Sequence, residues 1–174
     1  MNPIIAIDPG ATGAIAILDP DEWTIEIHRT PHRAITVSGK ERKEVDPQAL
    51  SDLIVPRKPR LIVTEKLHAR PAPTTSQANF NLGRAFGQIE MIAATHGYPI
   101  IEPTPQAWKN RMMVTADKDL SRKRASQLIP SAAECFRFKK DHDLAEAGLL
   151  SLYGVFFLGM VPGTLEYIKT SKGR

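Results

Sequence analysis

The apolar positions near the start of the chain fall into two kinds of run. Residues 4–7 (Ile-Ile-Ala-Ile) and 61–63 (Leu-Ile-Val) are unbroken, the pattern of strands buried on both faces. Residues 23–27 alternate strictly as Trp-Thr-Ile-Glu-Ile, as a half-buried edge or antiparallel strand does. Residues 14–18 add a further apolar run, Ala-Ile-Ala-Ile-Leu. Between the first run and this one, Pro9 cannot continue a central ladder, and Gly10 and Gly13 let the backbone reverse tightly. A hairpin with Asp8 at its mouth is therefore predicted over residues 4–18. A last short strand is predicted over 98–101.

Helical spacing takes over elsewhere. Asp46 followed by Pro47 is an N-cap and first-turn signature, predicting a short helix to about Val55, stopped by Pro56 and Pro59. The longest periodic stretch runs from Ser76 to His96. Phe80, Leu82, Ala85, Phe86, Ile89, Ile92 and Ala93 cover a broad face, and Gly97 is a natural C-cap. Gly83 and Gly87, four apart, leave room for another helix to approach. Pro105 to Lys109 predicts a helical turn with Trp108 as a packing residue, and further helices are predicted over 118–129 and 141–157. Residues 29–46 mix charge with Pro and Gly and are expected to form a loop, as are 66–75. Residues 1–160 read as one domain and 161–174 as a flexible C-terminal tail.

Strand–helix–strand order between the first hairpin and residues 61–64 predicts a parallel crossover. Both apolar strands then end in carboxylates, Asp8 and Glu65, at the same edge of the sheet, where sites of α/β sheets gather. Asp143 and Glu146, three apart on the last helix, share one face that Ala147 and Leu150 make semi-buried. Acids there are costly without counter-ions. Asp141 and His142 stand at that helix's start, where an acid is also an ordinary cap.

Charge sharpens this picture. The net charge of +4 over 174 residues is unevenly spread. Residues 1–105 hold 11 Lys and Arg against 12 Asp and Glu, whereas residues 106–174 hold 12 against 7. A basic second half suits a polyanion. The single cysteine, Cys135, excludes an internal disulfide and a Cys-rich zinc site. No apolar run reaches the length of a membrane span, and the N-terminus enters a strand rather than a signal peptide. A cytoplasmic protein with no membrane partner is expected.

Four carboxylates converging at one edge cannot all ionise without large pKa shifts unless a cation joins them. Hard oxygen donors point to Mg²⁺, with Mn²⁺ as a substitute, and two such ions form a clamp for in-line displacement at phosphorus. Asp8, Glu65, Asp143 and Glu146 are thus the expected metal ligands. Lys109 and Lys118 are expected to stabilise charge developing on a phosphate. His68, Arg70, Lys109, Arg111, Lys118, Arg122 and Lys123 form the expected DNA-binding rim.

These residues carry a resemblance. The chain resembles RuvC-type Holliday junction resolvases of the ribonuclease H-like superfamily, including the divergent phage-type branch. The resemblance lies in IAIDPGATGAIAIL, LIVTEK, NLGRAFGQIEMIAA, TPQAWKNRMMVTADK and DHDLAEAGLL, in the family's order, across most of residues 3–155. By position, Asp8 matches the family's first-strand acid, Glu65 the acid ending its fourth strand, and Asp143 and Glu146 its paired acids. Lys109 and Lys118 match two basic residues near the scissile phosphate.

The resemblance implies an α/β, ribonuclease H-like fold with a five-stranded mixed sheet flanked by helices. It also implies a homodimer using the long helix, and Mg²⁺-dependent paired incisions in four-way DNA junctions. Glu146 stands where Asp is common in the family, so a metal role for Asp141 is also expected. The segment between Lys109 and Lys118 is shorter than in bacterial members. His68 replaces an aromatic that in some relatives probes the junction centre. Three other readings remain open at this stage. One is a general branched-DNA or flap nuclease of the same fold, and another a non-catalytic DNA-binding module. The third is an ATP-binding domain of the actin/sugar-kinase type, which shares an Asp-x-Gly-x-Thr-Gly hairpin.

Overall fold

The computed structural model describes residues 2–37, 39–69, 71, 73–160 and 169–170. The unbroken apolar run becomes β1 (Ile4–Asp8), which turns through Pro9 to Gly13 into β2 (Ala14–Asp19), and β3 (Thr24–Arg29) follows. All three pair antiparallel in sequence, with Asp8 opposite Ala14 and Ala14 opposite Arg29. The turn leaves no room for a side chain at Gly13: a Cβ there would lie 2.0 Å from the Asp8 carbonyl oxygen.

Residues 29–46 are not the expected loop. They fold into a separate antiparallel ribbon of β4 (His32–Val37) and β5 (Lys40–Val45), turned at Gly39 with φ +72°. The ribbon stands off the main sheet, so neither face is buried along its length, and only Val45 at its foot is fully enclosed. With little burial, β4 holds only Ile35 and Val37 as larger apolar residues and five of the six residues of β5 are charged, which is why the stretch reads as a loop.

Asp46 caps α1 (Pro47–Ile54), accepting from the Gln48 and Ala49 amides, a contact worth about 1 kcal/mol. The chain then crosses over to β6 (Leu61–Thr64), parallel to β1 on the side away from β2, as the sequence order predicts. The long helix α2 (Ser76–His96) starts at Thr75, whose hydroxyl accepts from Ala78 N–H, and stops at Gly97 with φ +68°. β7 (Ile100–Ile101), α3 (Pro105–Met112), α4 (Lys118–Leu128) and α5 (His142–Phe157) complete the main elements, followed by β8 (Lys169–Thr170).

The sheet order is β7-β6-β1-β2-β3, the expected five-stranded mixed sheet, with β8 adding a two-residue parallel extension to β3. Apart from residues 169–170, the tail expected over 161–174 lies outside the described residues. Alternation along the strands divides the interior in two. Ile5, Ile7, Ile15, Ile17 and Ile62 pack beneath α1 and α2. Ile4, Ala6, Ala16, Leu18 and Val63 face α3, α4 and α5. That second face is small in side-chain volume because α5 lies close against it: a Cβ at Gly154 would come within 2.8 Å of both Ile4 and Val63 methyls. Close packing of α5 brings its N-terminal turn to the carboxyl ends of β1 and β6. No helix among the described residues is long and apolar enough to cross a membrane.

Candidate active site

Asp8 ends β1, and the parallel register that sets Ile7 beside Thr64 brings Glu65, the first residue after β6, alongside it. Asp143 and Glu146 come from the first turns of α5. All four line one cavity of about 560 Å³, together with Lys109 and Lys118. The sheet edge, α3, the start of α4 and the start of α5 each supply part of its wall.

Asp8 is the most constrained of the four. Burial raises its pKa well above the ordinary carboxylate value, and the charges of Asp143, Glu146 and Glu65 add to the effect, with Lys109 opposing. Its carboxylate accepts no hydrogen bond among the described residues. The Asp143 pKa is raised too, first by burial; His142 and Lys118 pull it back, and Glu146 pushes it further up.

The other acids have partners. Glu65 Oε2 accepts from the indole N–H of Trp108 at 2.9 Å. Glu146 Oε1 accepts from Lys109 Nζ at 3.1 Å and from the buried Ser121 hydroxyl at 3.2 Å. Lys109 also lies 5.0 Å from the centre of the Trp108 ring, so one indole orders both an acid and a base. His142 bridges the far wall: its Nε2 is 2.6 Å from Lys118 Nζ and 2.7 Å from Asp143 Oδ1. That nitrogen serves one partner at a time, accepting from Lys118 when bare and donating to Asp143 when it carries hydrogen.

An all-oxygen donor set with one acid lacking any hydrogen-bond donor fits a hard divalent cation. No group of three or more His, Cys, Asp or Glu among the described residues is drawn tightly enough to enclose an ion. Trp108, Lys109, Ser121 and His142 each contact one of the acids.

No protein-family model matches the chain, and no curated protein matches it in sequence. Solved structures do match. Thermus thermophilus RuvC in complex with a Holliday junction substrate superposes with a TM-score of 0.58 at 14% identity, over 92% of this chain and 96% of that one. Thermus thermophilus RuvC alone gives 0.55 at 16% identity, over 91% and 96%. The yeast mitochondrial Holliday junction resolvase Ydc2 gives 0.50 at 13% identity, over 86% and 77%.

The chain has the RuvC fold.

On that fold, the remaining residues singled out in the sequence separate into two groups. Lys109 and Lys118 line the cavity with the four acids. His68 lines a neighbouring apolar groove with Leu67, Asn79, Leu82 and Phe86, and Lys123 is exposed on α4. Arg70 lies outside the described residues. Arg111 points elsewhere, its guanidinium 4.7 Å from the centre of the Phe156 ring. Arg122 is occupied by Asp119 and by the carbonyls of Phe136 and Arg137. Asp141 is buried, its Oδ1 2.6 Å from Arg29 and its Oδ2 accepting the Phe138 amide.

Sequence reasoning did not reach Trp108, Ser121, His142 or Arg29 as contributors to the site. Trp108 reads as core, and it is core by burial; only its indole N–H reaches Glu65. Ser121 follows Lys118 by three, which places both near one face of α4, and that spacing was the available signal. His142 and Arg29 act through tertiary contacts that leave no local pattern.

Proposed function

We propose that the protein is a metal-dependent, structure-selective endonuclease that resolves four-way DNA junctions by paired phosphodiester hydrolysis. The observation that carries this reading is a single cavity lined by Asp8, Glu65, Asp143 and Glu146 together with Lys109 and Lys118, on a fold shared with Holliday junction resolvases. Acids alone repel a phosphate, and the lysines alone anchor one; together they suit cleavage.

Asp8, Glu65, Asp143 and Glu146 would hold the cation, Mg²⁺ or Mn²⁺, with room in the donor set for two. Bound there, such ions supply Lewis-acid stabilisation at phosphorus and an activated water. The protein's own groups do the rest. Trp108 fixes Glu65, and Lys109 and Ser121 fix Glu146. Lys118, held by His142, brings positive charge towards the phosphoryl oxygens. Asp141 orients the start of α5 through Arg29 rather than joining the ligand set. His68, Lys123 and Arg70 extend the contact to the DNA beyond the scissile bond.

Paired cuts need two sites. The outward face of α2 supports a homodimer: Phe80 and Met91 are 60% and 65% exposed, and a Cβ at Gly83 or Gly87 would meet nothing within 4 Å.

The test is cleavage of a labelled four-way junction beside a linear duplex of the same sequence, with Mg²⁺ or EDTA, and with Asp8→Asn as a control. Symmetrical nicks in the junction alone, dependent on metal and on Asp8, are expected. Equal cutting of both substrates would replace junction resolution with general nuclease activity. Cutting that survives in Asp8→Asn would refute the site assignment. Lys118→Gln is expected to slow cleavage more than it weakens binding.

A further inference from the structure

The β4–β5 ribbon is the one large feature that the nuclease site does not use. It leaves the sheet at the catalytic edge. Thr30 N–H donates to the Gly13 carbonyl of the β1–β2 turn, and Asp46 N–H donates to the Pro31 carbonyl, closing the ribbon's foot. Its base lines a small cavity with Gly10 and Leu82, and these two residues also line the catalytic cavity. The ribbon and the acids are therefore neighbours.

Its side chains sort by pleat. The cross-strand pairs Arg33 with Glu44, Ile35 with Arg42 and Val37 with Lys40 share one face, while Lys43 and Glu41 lie on the other. At the foot, Glu44 is clamped by both guanidinium nitrogens of Arg84 from α2, at 2.9 and 3.0 Å, and by Arg33 at 3.1 Å. This clamp ties the ribbon to α2 and leaves an excess of positive charge around one neutralised acid. Lys43, beside the clamp on the other face, and Lys40 and Arg42, further out, are exposed and form no ion pair among the described residues. Six residues per strand give a length of about 20 Å, more than half a turn of B-DNA. A two-stranded ribbon also has the width that a major groove admits.

We propose that the ribbon grips a duplex arm of the DNA substrate through Lys40, Arg42 and Lys43, while the scissile strand lies in the cavity beside it. The inference rests on the nuclease reading for its choice of DNA as the polyanion. Charge on an exposed ribbon also discourages edge-to-edge aggregation. That role is indifferent to sign, whereas DNA contact is not.

The experiment measures affinity of the full chain for a four-way junction and for a linear duplex, in EDTA, across a series of salt concentrations. Each cation that neutralises a phosphate contributes about −0.9 to the slope of log K against log salt. K40Q/R42Q/K43Q is expected to make that slope about 2 to 3 less negative, on both substrates, with an unchanged thermal midpoint. The single variants, each about 1, keep the test open if the triple variant fails to fold. K43E is expected to weaken binding more than K43Q while leaving solubility intact. K58Q, at the opposite edge of the sheet, is expected to leave the slope alone. An unchanged slope in the triple variant, or a slope change matched by K58Q, overturns the proposal. So does a loss of oligomeric state in place of DNA affinity. Binding by the unaltered protein in EDTA, with no cutting once Mg²⁺ is added, would overturn the nuclease reading alone. Cutting with an unchanged ribbon slope would overturn the ribbon alone, and absence of DNA binding would overturn both.

Discussion

Asp8→Asn separates function from stability, and the two effects have opposite signs. Asp8 is held at the end of β1 among three other acids, its carboxylate without a hydrogen-bond donor. In the metal-free protein, its ionised form therefore costs folding free energy. A carboxylate pressed by three like charges at a largely enclosed strand end, with no donor to offset them, costs about 1–3 kcal/mol in its ionised form. Asparagine keeps the shape, removes the charge and adds donors towards the neighbouring carboxylates. A gain of about 1–3 kcal/mol is expected at neutral pH, and for a chain of this length each kcal/mol moves the midpoint by about 2–4 °C.

The sign with pH follows from the raised pKa. The folded protein binds a proton at Asp8 more readily than the unfolded chain does, so this group's stability penalty grows as pH rises. It is absent below the ordinary carboxylate value, builds through the window above it, and is complete above the folded-state pKa. Thermal melts of both proteins in EDTA, from about pH 4 to pH 8, should converge at the acid end and separate at the neutral end. Adding Mg²⁺ should stabilise the unaltered protein more than the variant, closing the gap. A variant that melts lower at neutral pH in EDTA, or a difference independent of pH, would refute this account of the cavity.

Two further outcomes follow from the packing around the site. Trp108→Phe keeps an aromatic ring but removes the donor to Glu65, so turnover on a junction should fall about 10- to 100-fold while junction affinity changes little; equal turnover would make Trp108 a core residue only. Gly154→Ala places a methyl 2.8 Å from Ile4 and Val63, and the overpacking should lower stability by about 1–3 kcal/mol in a denaturant melt. An unchanged midpoint would show that α5 can lift from the sheet without cost.

Much of the architecture was legible in the sequence because burial wrote it there. The strands β1, β2 and β6 are buried on both faces and show unbroken apolar runs, and α2 spans Ser76 to His96 as its apolar spacing predicts, stopping at Gly97. The crossover that pairs β6 beside β1 follows from chain order, so the neighbouring positions of Asp8 and Glu65 did too. The ribbon was missed because charged residues occupy its pleats and nothing is buried against most of it. The partners of the acids were missed for a different reason. A hydrogen bond from Trp108 to Glu65 or from Ser121 to Glu146 joins residues far apart in sequence, and only packing decides that they meet. Arg111 and Arg122 show the converse: basic residues near the site whose guanidinium groups also meet protein partners, the Phe156 ring and the Arg137 carbonyl.

The cavity draws Asp8 from the first strand and Asp143 and Glu146 from the last long helix. A ribosome adding about 5–20 residues per second therefore exposes the hairpin about 6 to 25 seconds before the second pair of acids exists. During that interval a nascent chain carries Asp8 and Glu65 without α5, and Ile4, Ala6 and Val63 without their cover. The same helix closes the core and delivers the last two acids. Such a chain completes its core and its cluster of four acids in one event, so a truncated or stalled copy carries neither.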